Sequence, residues 1–233
     1  MPPARDTQWS YCPAGSKLVP AQRGQTAVTI LWIGGSTDAG KTTLARALAA
    51  RLGCPLYEYD RSDGAHHETL AAQHQDIRAF LLASMDARWV TPTPQQLYRR
   101  SMRSFRLRWP LLLRELAELA ADPRAPVIIE GFGLLPDLVR PLMDDPRQGL
   151  WLTPTEDFRS GSWLRRGKPG FRAQVSDPDR GAANLWNRDL LLAEEIERQA
   201  RALQLKLVIN DGSLFTDEMV EGAAAWFAPF LAA

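Results

Sequence analysis

The chain has 233 residues, of which 45% are hydrophobic, 9% aromatic and 24% charged. That is the composition of a folded globular protein rather than a disordered or fibrous one, and the length suits one α/β domain or two small ones. The formal net charge of +1, from 28 basic and 27 acidic residues, gives no global field that would attract nucleic acid or an anionic membrane, so we expect neither as a partner.

The cysteines and the N-terminus indicate the compartment. The two cysteines, Cys12 and Cys54, are too few for a secreted disulfide scaffold, which favours a reducing environment. The longest strongly apolar runs are far shorter than the roughly 20 residues that a bilayer requires. Residues 1–17 lack a secretory pattern. We therefore expect a cytoplasmic protein.

Predicted strands and helices alternate after an N-terminal arm. Residues 1–25 contain Pro, Gly, Ser and Gln without periodicity, which predicts a flexible arm. The apolar, β-branched run 27–33 predicts a buried strand, and 41–52 has the composition of a helix with Gly53 as its stop. This alternation continues along the chain and predicts a parallel sheet with helices on both faces. Further strands are predicted at 55–60, 125–129, 149–153 and 205–209.

A long amphipathic helix is predicted in the middle of the chain. Thr93 to Gln96 resemble a capping box with Pro94 at the first helical position. Pro110 interrupts the stretch and predicts a kink or a break into two helices. Later helices are predicted at 182–203 and from 216 to just before 229. The apolar face of the middle helix consists of Tyr98, Met102, Phe105, Trp109, Leu112 and Leu116.

The other side of this helix is basic. The favoured interpretation is a solvated face, because runs of charge usually face water. Recognition of an anionic acceptor is one alternative, and nucleic-acid binding is another that the net charge disfavours. The residues concerned are Arg99, Arg100, Arg103, Arg106 and Arg108.

One motif carries the chemistry. The eight residues from Gly35 to Thr42 match the phosphate-loop pattern G-x-x-x-x-G-K-[ST], between a predicted strand and a predicted helix. The glycines let the backbone approach a phosphate, the backbone N–H groups form an anion nest, and the helix adds its positive end. Lys41 supplies charge for the β- and γ-phosphates, and the Thr42 hydroxyl suits Mg²⁺. The predicted nucleotide-binding residues here are Gly35, Ser36, Thr37, Asp38, Ala39, Gly40, Lys41, Thr42 and Thr43.

On this motif, the sequence resembles the P-loop kinases of the nucleoside-monophosphate-kinase and shikimate/gluconate-kinase type, from about residue 27 onward. Some stretches are also similar to uncharacterised bacterial AAA-family ATPases. The resemblance implies a three-layer α/β/α domain over residues 26–233 with a five-stranded parallel sheet. It also implies a helical acceptor-binding region at 60–122, a lid region at 156–181, and ATP and Mg²⁺ as cofactors.

Residues 127–131, in which Glu130 stands at the carboxyl end of the predicted strand 125–129, resemble the Walker B strand of the same superfamily. A carboxylate there holds Mg²⁺ directly or through water, so Thr42 and Glu130 are the predicted metal site. A solvated glutamate at the end of a strand is the alternative. Gly131 follows, where motor-type ATPases usually have a second carboxylate that activates water. This difference favours transfer to a bound acceptor over hydrolysis.

Acidic residues follow the second predicted strand. Ligands lie beyond the carboxyl ends of strands in open α/β sheets, and the resembling kinases often carry an acceptor-binding or hydroxyl-activating acid there. Asp60 matches that position and is the candidate base, with a purely structural turn at 60–64 as the alternative. The predicted acceptor-binding residues are Asp60, Arg61, Asp63 and His67.

Three histidines, His66, His67 and His74, lie close together in the sequence. A zinc site is the weaker interpretation, because no thiol accompanies them. Contact with the acceptor is favoured, since they follow Asp60 closely.

A basic segment interrupted by Gly and Pro, residues 160–172 with Arg159 just before it, lies where the resembling kinases carry a lid over the nucleotide. Lid arginines bind the charge on the transferring phosphoryl group, and Arg165 and Arg166 are the candidates here. Lys168 and Arg172 are weaker candidates, and a solvated basic loop is the alternative.

The resemblance adds two nucleotide contacts near the C-terminus. The superfamily often supplies a further arginine from the helix after the lid, which is Arg188 here. The loop at 210–213 follows the fifth strand, where relatives pass the adenine base, and Asp211 is the predicted contact. A plain strand-to-helix turn is the alternative for that loop.

The sequence therefore predicts an ATP-dependent phosphotransferase that acts on a small-molecule hydroxyl or phosphate. A nucleotide-binding switch or regulatory ATPase that signals to a protein partner is the main alternative, and a binding module without turnover is another. A GTPase is disfavoured, because no Asn-Lys-x-Asp motif occurs. Sugars, nucleosides, nucleotides, shikimate-like acids and antibiotics stay open as acceptors, as does the oligomeric state. The predicted catalytic residues are Lys41, Asp60, Arg165 and Arg166.

Overall fold

The computed structural model describes residues 29–118, 126–166, 172–213 and 216–231. The predicted N-terminal arm, residues 1–25, lies outside these ranges, as do the first two residues of the predicted first strand. A five-stranded sheet in the order β2-β3-β1-β4-β5 forms the centre, and every neighbouring pair of strands is parallel. The strands are β1 (Ile30–Gly35), β2 (Leu56–Glu58), β3 (Val127–Glu130), β4 (Gly149–Pro154) and β5 (Lys206–Asn210).

Eight helices surround or extend the sheet. Between β2 and β3 the chain is mainly helical, with a π-helical turn at Asp86–Val90, so the predicted helical character of 60–122 is confirmed over its described part. Within the described ranges, no helix combines the length and the apolar composition of a membrane span. The helices are α1 (Lys41–Leu52), α2 (Asp63–Ala71), α3 (Gln75–Leu82), α4 (Pro94–Glu118), α5 (Pro136–Val139), α6 (Glu156–Arg166), α7 (Pro178–Ala202) and α8 (Thr216–Phe227).

Alternating side chains of the strands build two separate cores. In β1, Trp32 faces one side of the sheet, while Leu31 and Ile33 face the other. The core on the Trp32 side is closed by α4 and α7, and the opposite core by α1 and α8. The predicted three-layer α/β/α arrangement is therefore confirmed. The largest fully buried side chains include Trp32, Trp151, Tyr59 and Phe227.

The helix α4 has the predicted apolar face, and the alternative of a break into two helices at Pro110 is wrong. It runs without interruption through Pro110 for 25 residues. Pro110 is exposed, so the carbonyl that loses its hydrogen bond at that turn lies where water can reach it. Trp109, Leu112 and Leu113 are buried on the other side. Packing on the core therefore keeps the helix continuous through a residue that would break an isolated one.

Candidate active site

The phosphate loop lies between β1 and α1, as its motif predicts. Gly35 has a φ of +134°, and a Cβ there would come within 2.0 Å of the Leu152 carbonyl oxygen. Gly40 has a φ of +90°, and its carbonyl accepts the first hydrogen bond of α1, from Leu44. The backbone N–H of Ser36 donates to the Leu152 carbonyl at 3.0 Å. The loop is therefore locked to β4 at its first turn, and only glycine fits there.

Two further side chains, Lys41 and Asn210, bond to backbone carbonyls of the loop. Lys41 is buried, and its Nζ donates to the Ser36 carbonyl oxygen at 2.7 Å across the loop. Asn210, at the end of β5, donates from Nδ2 to the Ala39 carbonyl at 3.1 Å. Its Oδ1 accepts the N–H of Gly212 at 3.0 Å. Asn210 is therefore a structural support of the loop, a role that the sequence did not reveal because the two residues are 171 positions apart.

Thr42 and Glu130, the predicted metal site, do lie together. Thr42 Oγ1 donates to Glu130 Oε1 at 3.1 Å. Glu130 is 2% exposed, and its Oε2 has no hydrogen-bond partner among the described residues. Burial raises the pKa of Glu130, while the nearby Lys41 charge acts in the opposite direction. An orphaned carboxylate oxygen beside a hydroxyl is an oxygen donor set that fits Mg²⁺.

Asp60 lies at the boundary between two cavities. Both of its carboxylate oxygens accept the backbone N–H of Phe132, at 3.1 and 3.3 Å. A cavity of about 190 Å³ over the phosphate loop is lined by residues 37–43 together with Asp60 and Phe132. The same two residues also line a cavity of about 820 Å³, called the large cavity below. Asp60 therefore reaches both spaces.

Arg61 points elsewhere. Its Nε makes an ion pair with Glu58 Oε2 at 2.6 Å, and its side chain is largely exposed. It does not line the large cavity or the cavity over the phosphate loop. Its predicted contact with the acceptor has no geometric support, and its partner is Glu58 rather than Asp60.

Asp63 and His67 line the large cavity and are bonded within its wall. His67 Nε2 bonds to Ser104 Oγ at 2.8 Å, and its Nδ1 bonds to the Asp63 carbonyl at 2.8 Å. Arg108 Nη1 pairs with Asp63 Oδ1 at 2.5 Å. Burial tends to raise the pKa of Asp63, but the His67 hydrogen bond and the Arg108 charge outweigh it, so this pKa lies below its ordinary value.

The interpretation of Arg108 as part of a solvated face is wrong. The residue is 2% exposed, and its guanidinium lies 4.3 Å from the centre of the Tyr59 ring. It also donates from Nη2 to the Tyr59 carbonyl at 3.4 Å. The ion pair with Asp63 compensates the charge that this burial desolvates. Arg108 ties α4 to the end of β2 and fixes the start of α2.

The histidines have separate environments. His66 is buried, and its Nε2 bonds to Glu115 Oε1 at 2.9 Å. Burial lowers the pKa of His66, against the influence of Glu115. His74 is the residue before α3. Among the described residues, no cluster of three or more His, Cys, Asp or Glu side chains could hold a metal ion.

The lid candidates are dispersed. Arg165 lines a third cavity, of about 270 Å³, together with Thr43, Asn210 and Gly212. Neither Arg165 nor Asn210 lines the large cavity. Arg172 pairs with Asp179 at 2.5 Å. The side chain of Arg166 and all of Lys168 lie outside the described residues.

Arg159, which directly precedes this basic segment, is buried. It is 2% exposed, and its Nη2 bonds to Asp189 Oδ2 at 3.0 Å. Its guanidinium lies 4.2 Å from the centre of the Trp186 ring. Burial lowers the pKa of Arg159, against the charges of Asp189 and Asp38. A cation shared between α6 and α7 thus lies close to the phosphate loop.

The two predicted C-terminal nucleotide contacts have different surroundings. Arg188 lines the large cavity, donates from Nη1 to Ser101 Oγ at 3.3 Å, and lies 5.9 Å from the centre of the Phe132 ring. Arg188 therefore lies beside the large cavity. Asp211 is exposed and accepts the N–H of Ser213 at 2.8 Å in a tight turn. Its neighbours Asn210 and Gly212, rather than Asp211, line the third cavity.

Comparisons with known proteins concern the fold. No family model matches the chain, and no curated protein matches it. Among solved structures, TT1252 from Thermus thermophilus is 20% identical, with 88% of this chain and 99% of that chain covered and a TM-score of 0.53. Shikimate kinase from Acinetobacter baumannii in complex with shikimate is 17% identical over 88% and 94% of the two chains, with a TM-score of 0.45. A gluconokinase from Sinorhizobium meliloti 1021 is 18% identical over 89% and 95%, with a TM-score of 0.46.

Sequence identities of 17–20% support a similar fold and nothing further. The parallel sheet has the order β2-β3-β1-β4-β5, and the phosphate loop follows its central strand. The likeness to TT1252 spans nearly the whole of that chain. The protein therefore has a three-layer α/β fold in which a phosphate loop follows the central strand of a five-stranded parallel sheet.

Proposed function

We propose that the protein is an ATP-dependent phosphotransferase whose acceptor is a small molecule bound in the large cavity. The observation that carries the proposal is the shared boundary of two cavities. Asp60 and Phe132 line both the space over the phosphate loop and the large cavity. An acceptor in the large cavity would thus present its hydroxyl or phosphate next to the terminal phosphate of a nucleotide in the loop.

The residues around the phosphate loop fit a magnesium nucleotide. When bound, Mg-ATP supplies the phosphoryl group and part of the charge neutralisation. The backbone N–H groups of the loop and the Lys41 ammonium hold phosphate oxygens. Thr42 and Glu130 hold the metal through their oxygens. The third cavity, between Thr43 and Arg165, suits the nucleoside part.

Asp60 is the proposed base. Its carboxylate takes the proton that the acceptor's reacting oxygen releases. The N–H of Phe132 holds this carboxylate in place at the boundary. Arg188 adds positive charge on the acceptor side, beside the same phenylalanine. Catalysis then consists mainly of alignment and electrostatic stabilisation.

A regulatory ATPase without a small-molecule acceptor is the rival. Gly131 follows Glu130, so the strand end offers no second carboxylate for water activation. That rival also gives no role to a cavity of about 820 Å³ that opens on Asp60. Both observations favour transfer to an acceptor.

The test follows ADP release from Mg-ATP in the presence of candidate acceptors. The candidates are first selected by the rise in unfolding temperature that they cause when ADP is present. We expect at least one acceptor to accelerate ADP release and to carry the phosphoryl group afterwards, as seen by mass spectrometry. Slow ADP release that no small molecule accelerates, and that a protein partner does, would replace the proposal by the regulatory ATPase.

A further inference from the structure

The large cavity carries an excess of positive charge. Three carboxylates line it: Asp60, Asp63 and Asp76. Asp63 is paired with Arg108, and Asp76 accepts from Arg103 Nε at 2.6 Å. The arginines that line the cavity are Arg88, Arg99, Arg100, Arg103, Arg108 and Arg188.

Two of these arginines flank one aromatic ring. The guanidinium carbons of Arg88 and Arg100 lie 5.2 and 5.1 Å from the centre of the Phe80 ring. Trp89 meets the same ring edge-on, with 5.7 Å between the ring centres. The cluster brings together α3, the π-helical turn and α4, in a part of the cavity that does not border the phosphate loop.

The partners of the two guanidinium groups are backbone carbonyls. Arg88 donates from Nε to Ala83 at 3.0 Å and from Nη2 to Leu81. Arg100 donates from Nη1 to the Arg88 carbonyl at 3.2 Å. Within the described part of the chain, neither arginine has a carboxylate in ion-pair distance. Two like charges thus share one ring, and no carboxylate of the described residues pairs with either of them.

Arg100 is also half-buried, and this burial alone lowers its pKa. A desolvated cation without a counter-charge costs free energy, which an anion from outside would recover. The free edge of a guanidinium is a planar fork of N–H donors that matches two oxygens of a phosphate or carboxylate. The remaining wall around the cluster is largely apolar, with Ile77, Leu81, Trp89 and Leu97.

We propose that Arg100 and Arg88, held on Phe80, form an anion subsite, and that the acceptor is an oxyanion on an apolar or planar body rather than a neutral sugar. The anion subsite does not depend on the proposed function. Only the identification of its ligand as the phosphoryl acceptor rests on that function. A volume of about 820 Å³ lies within the range of pockets that enclose drug-sized ligands, so the body of the acceptor has room beside its anionic group.

The test measures binding of phenyl phosphate by calorimetry, with benzoate in a parallel arm. Wild type, Arg100→Gln, Arg106→Gln and Lys41→Ala are compared. Arg106 is the matched control, because it lies on the same helix, pairs with Asp137 and does not line the cavity. We expect Arg100→Gln to weaken binding about 10- to 100-fold, the range for hydrogen bonds to a charged group. Arg106→Gln and Lys41→Ala should bind as wild type does.

The outcomes separate this inference from the proposed function. Binding of phenyl phosphate but not benzoate identifies a phosphate subsite, and the reverse a carboxylate subsite. Equal binding to wild type and Arg100→Gln, or no binding to wild type at millimolar concentration, overturns the inference. So does binding that Lys41→Ala abolishes and Arg100→Gln does not, because the phosphate loop is then the site. A chain that binds through Arg100 yet shows no acceptor-dependent ADP release keeps the subsite and loses the kinase.

Discussion

Lys41 is the residue on which the nucleotide site depends most directly. Its ammonium is already turned into the loop, where it bonds to the Ser36 carbonyl. A buried cation held in this way needs little rearrangement to meet a phosphate, so its charge is pre-organised for a developing negative charge. Glu130 is the buried anion on the other side of this arrangement, with Lys41 close enough to influence its pKa.

Replacement of Lys41 should therefore remove turnover. We expect Lys41→Ala to lower the rate of ADP formation about 10²- to 10³-fold or more, the usual effect of losing one preorganised donor, and to weaken binding of the triphosphate. Coupled detection of ADP and calorimetry with Mg-ATP measure the two effects. Lys206→Ala is the control, because Lys206 is exposed on β5 and contacts only the Trp226 ring among the contacts described. Unchanged ADP production in Lys41→Ala would exclude the assigned site.

Replacement of Asp60 should separate an effect on the rate of transfer from an effect on nucleotide affinity. Asp60→Asn keeps an oxygen that can accept the Phe132 N–H, so the boundary between the cavities should persist. We expect transfer to the acceptor to fall about 10²-fold or more, as for loss of a general base, while affinity for Mg-ATP stays close to that of wild type. Single-turnover transfer and nucleotide titration give the two numbers. Equal losses in both would assign Asp60 a structural role instead.

At the scale of elements, local patterns predicted most of the fold. Short apolar runs, glycine stops and helical spacing located the five strands, the phosphate loop and the apolar face of α4. They failed for Arg108 and Arg159, which belong to basic runs but are buried against Asp63 and Asp189. A charge run contains no information about a carboxylate on another helix, so the sequence predicts exposure where tertiary ion pairs produce burial.

The same limit applies within the candidate site. The loop, Thr42, Glu130 and Asp60 follow from motif and strand ends, and these residues do converge. The support from Asn210 and the placement of Arg188 beside Phe132 depend on how β5 and α7 pack. No spacing in the sequence encodes that packing.

Pro110 provides a test of how α4 is held. Within a helix, proline costs about 3 kcal/mol or more, and α4 accommodates it through packing of Trp109, Leu112 and Leu113. Pro110→Ala restores an N–H donor, although the unfolded chain gains freedom worth about 0.4–1 kcal/mol. We expect the free energy of unfolding to rise by about 2 kcal/mol or more, on balance of these terms. Urea titration followed by circular dichroism measures it.

The control for this variant is Pro178→Ala. Pro178 occupies the first turn of α7, where its missing N–H would have no helical partner anyway. Its replacement should leave stability unchanged or slightly lower. If Pro110→Ala is instead destabilising, a direct packing contact of the proline ring must stabilise α4.

At the scale of the whole molecule, stability and function oppose each other at Glu130. Burial raises its pKa above the ordinary 4.5, so the folded state binds more protons than the unfolded state between 4.5 and the raised value. Stability therefore falls as pH rises through that window, and ionised Glu130 is a cost at neutral pH. Glu195 has the opposite effect on stability, because the Arg198 hydrogen bond lowers its pKa. Ionised Glu195 therefore stabilises the fold at pH values above its unfolded pKa.

The matched pair Glu130→Gln and Glu195→Gln tests this opposition. At neutral pH we expect Glu130→Gln to raise the free energy of unfolding and Glu195→Gln to lower it. The Glu130 difference should shrink as the pH falls through its raised pKa towards 4.5, and the Glu195 difference should shrink as the pH falls below 4.5. Glu130→Gln should also lose magnesium-dependent turnover. Urea titrations between pH 4 and 8 supply the comparison, and a loss of stability in Glu130→Gln at pH 7 would contradict the assigned cost.

Under the proposed function, the boundary formed by Asp60 and Phe132 limits how the choice of acceptor can change. The Asp60 carboxylate accepts the Phe132 N–H, and both residues line both cavities. A substitution at either residue would therefore disturb the nucleotide and the acceptor together. The residues of α3 and α4 that line the large cavity do not line the cavity over the phosphate loop. The acceptor specificity can therefore change through substitutions in those two helices, while Asp60, Phe132 and the phosphate loop stay the same.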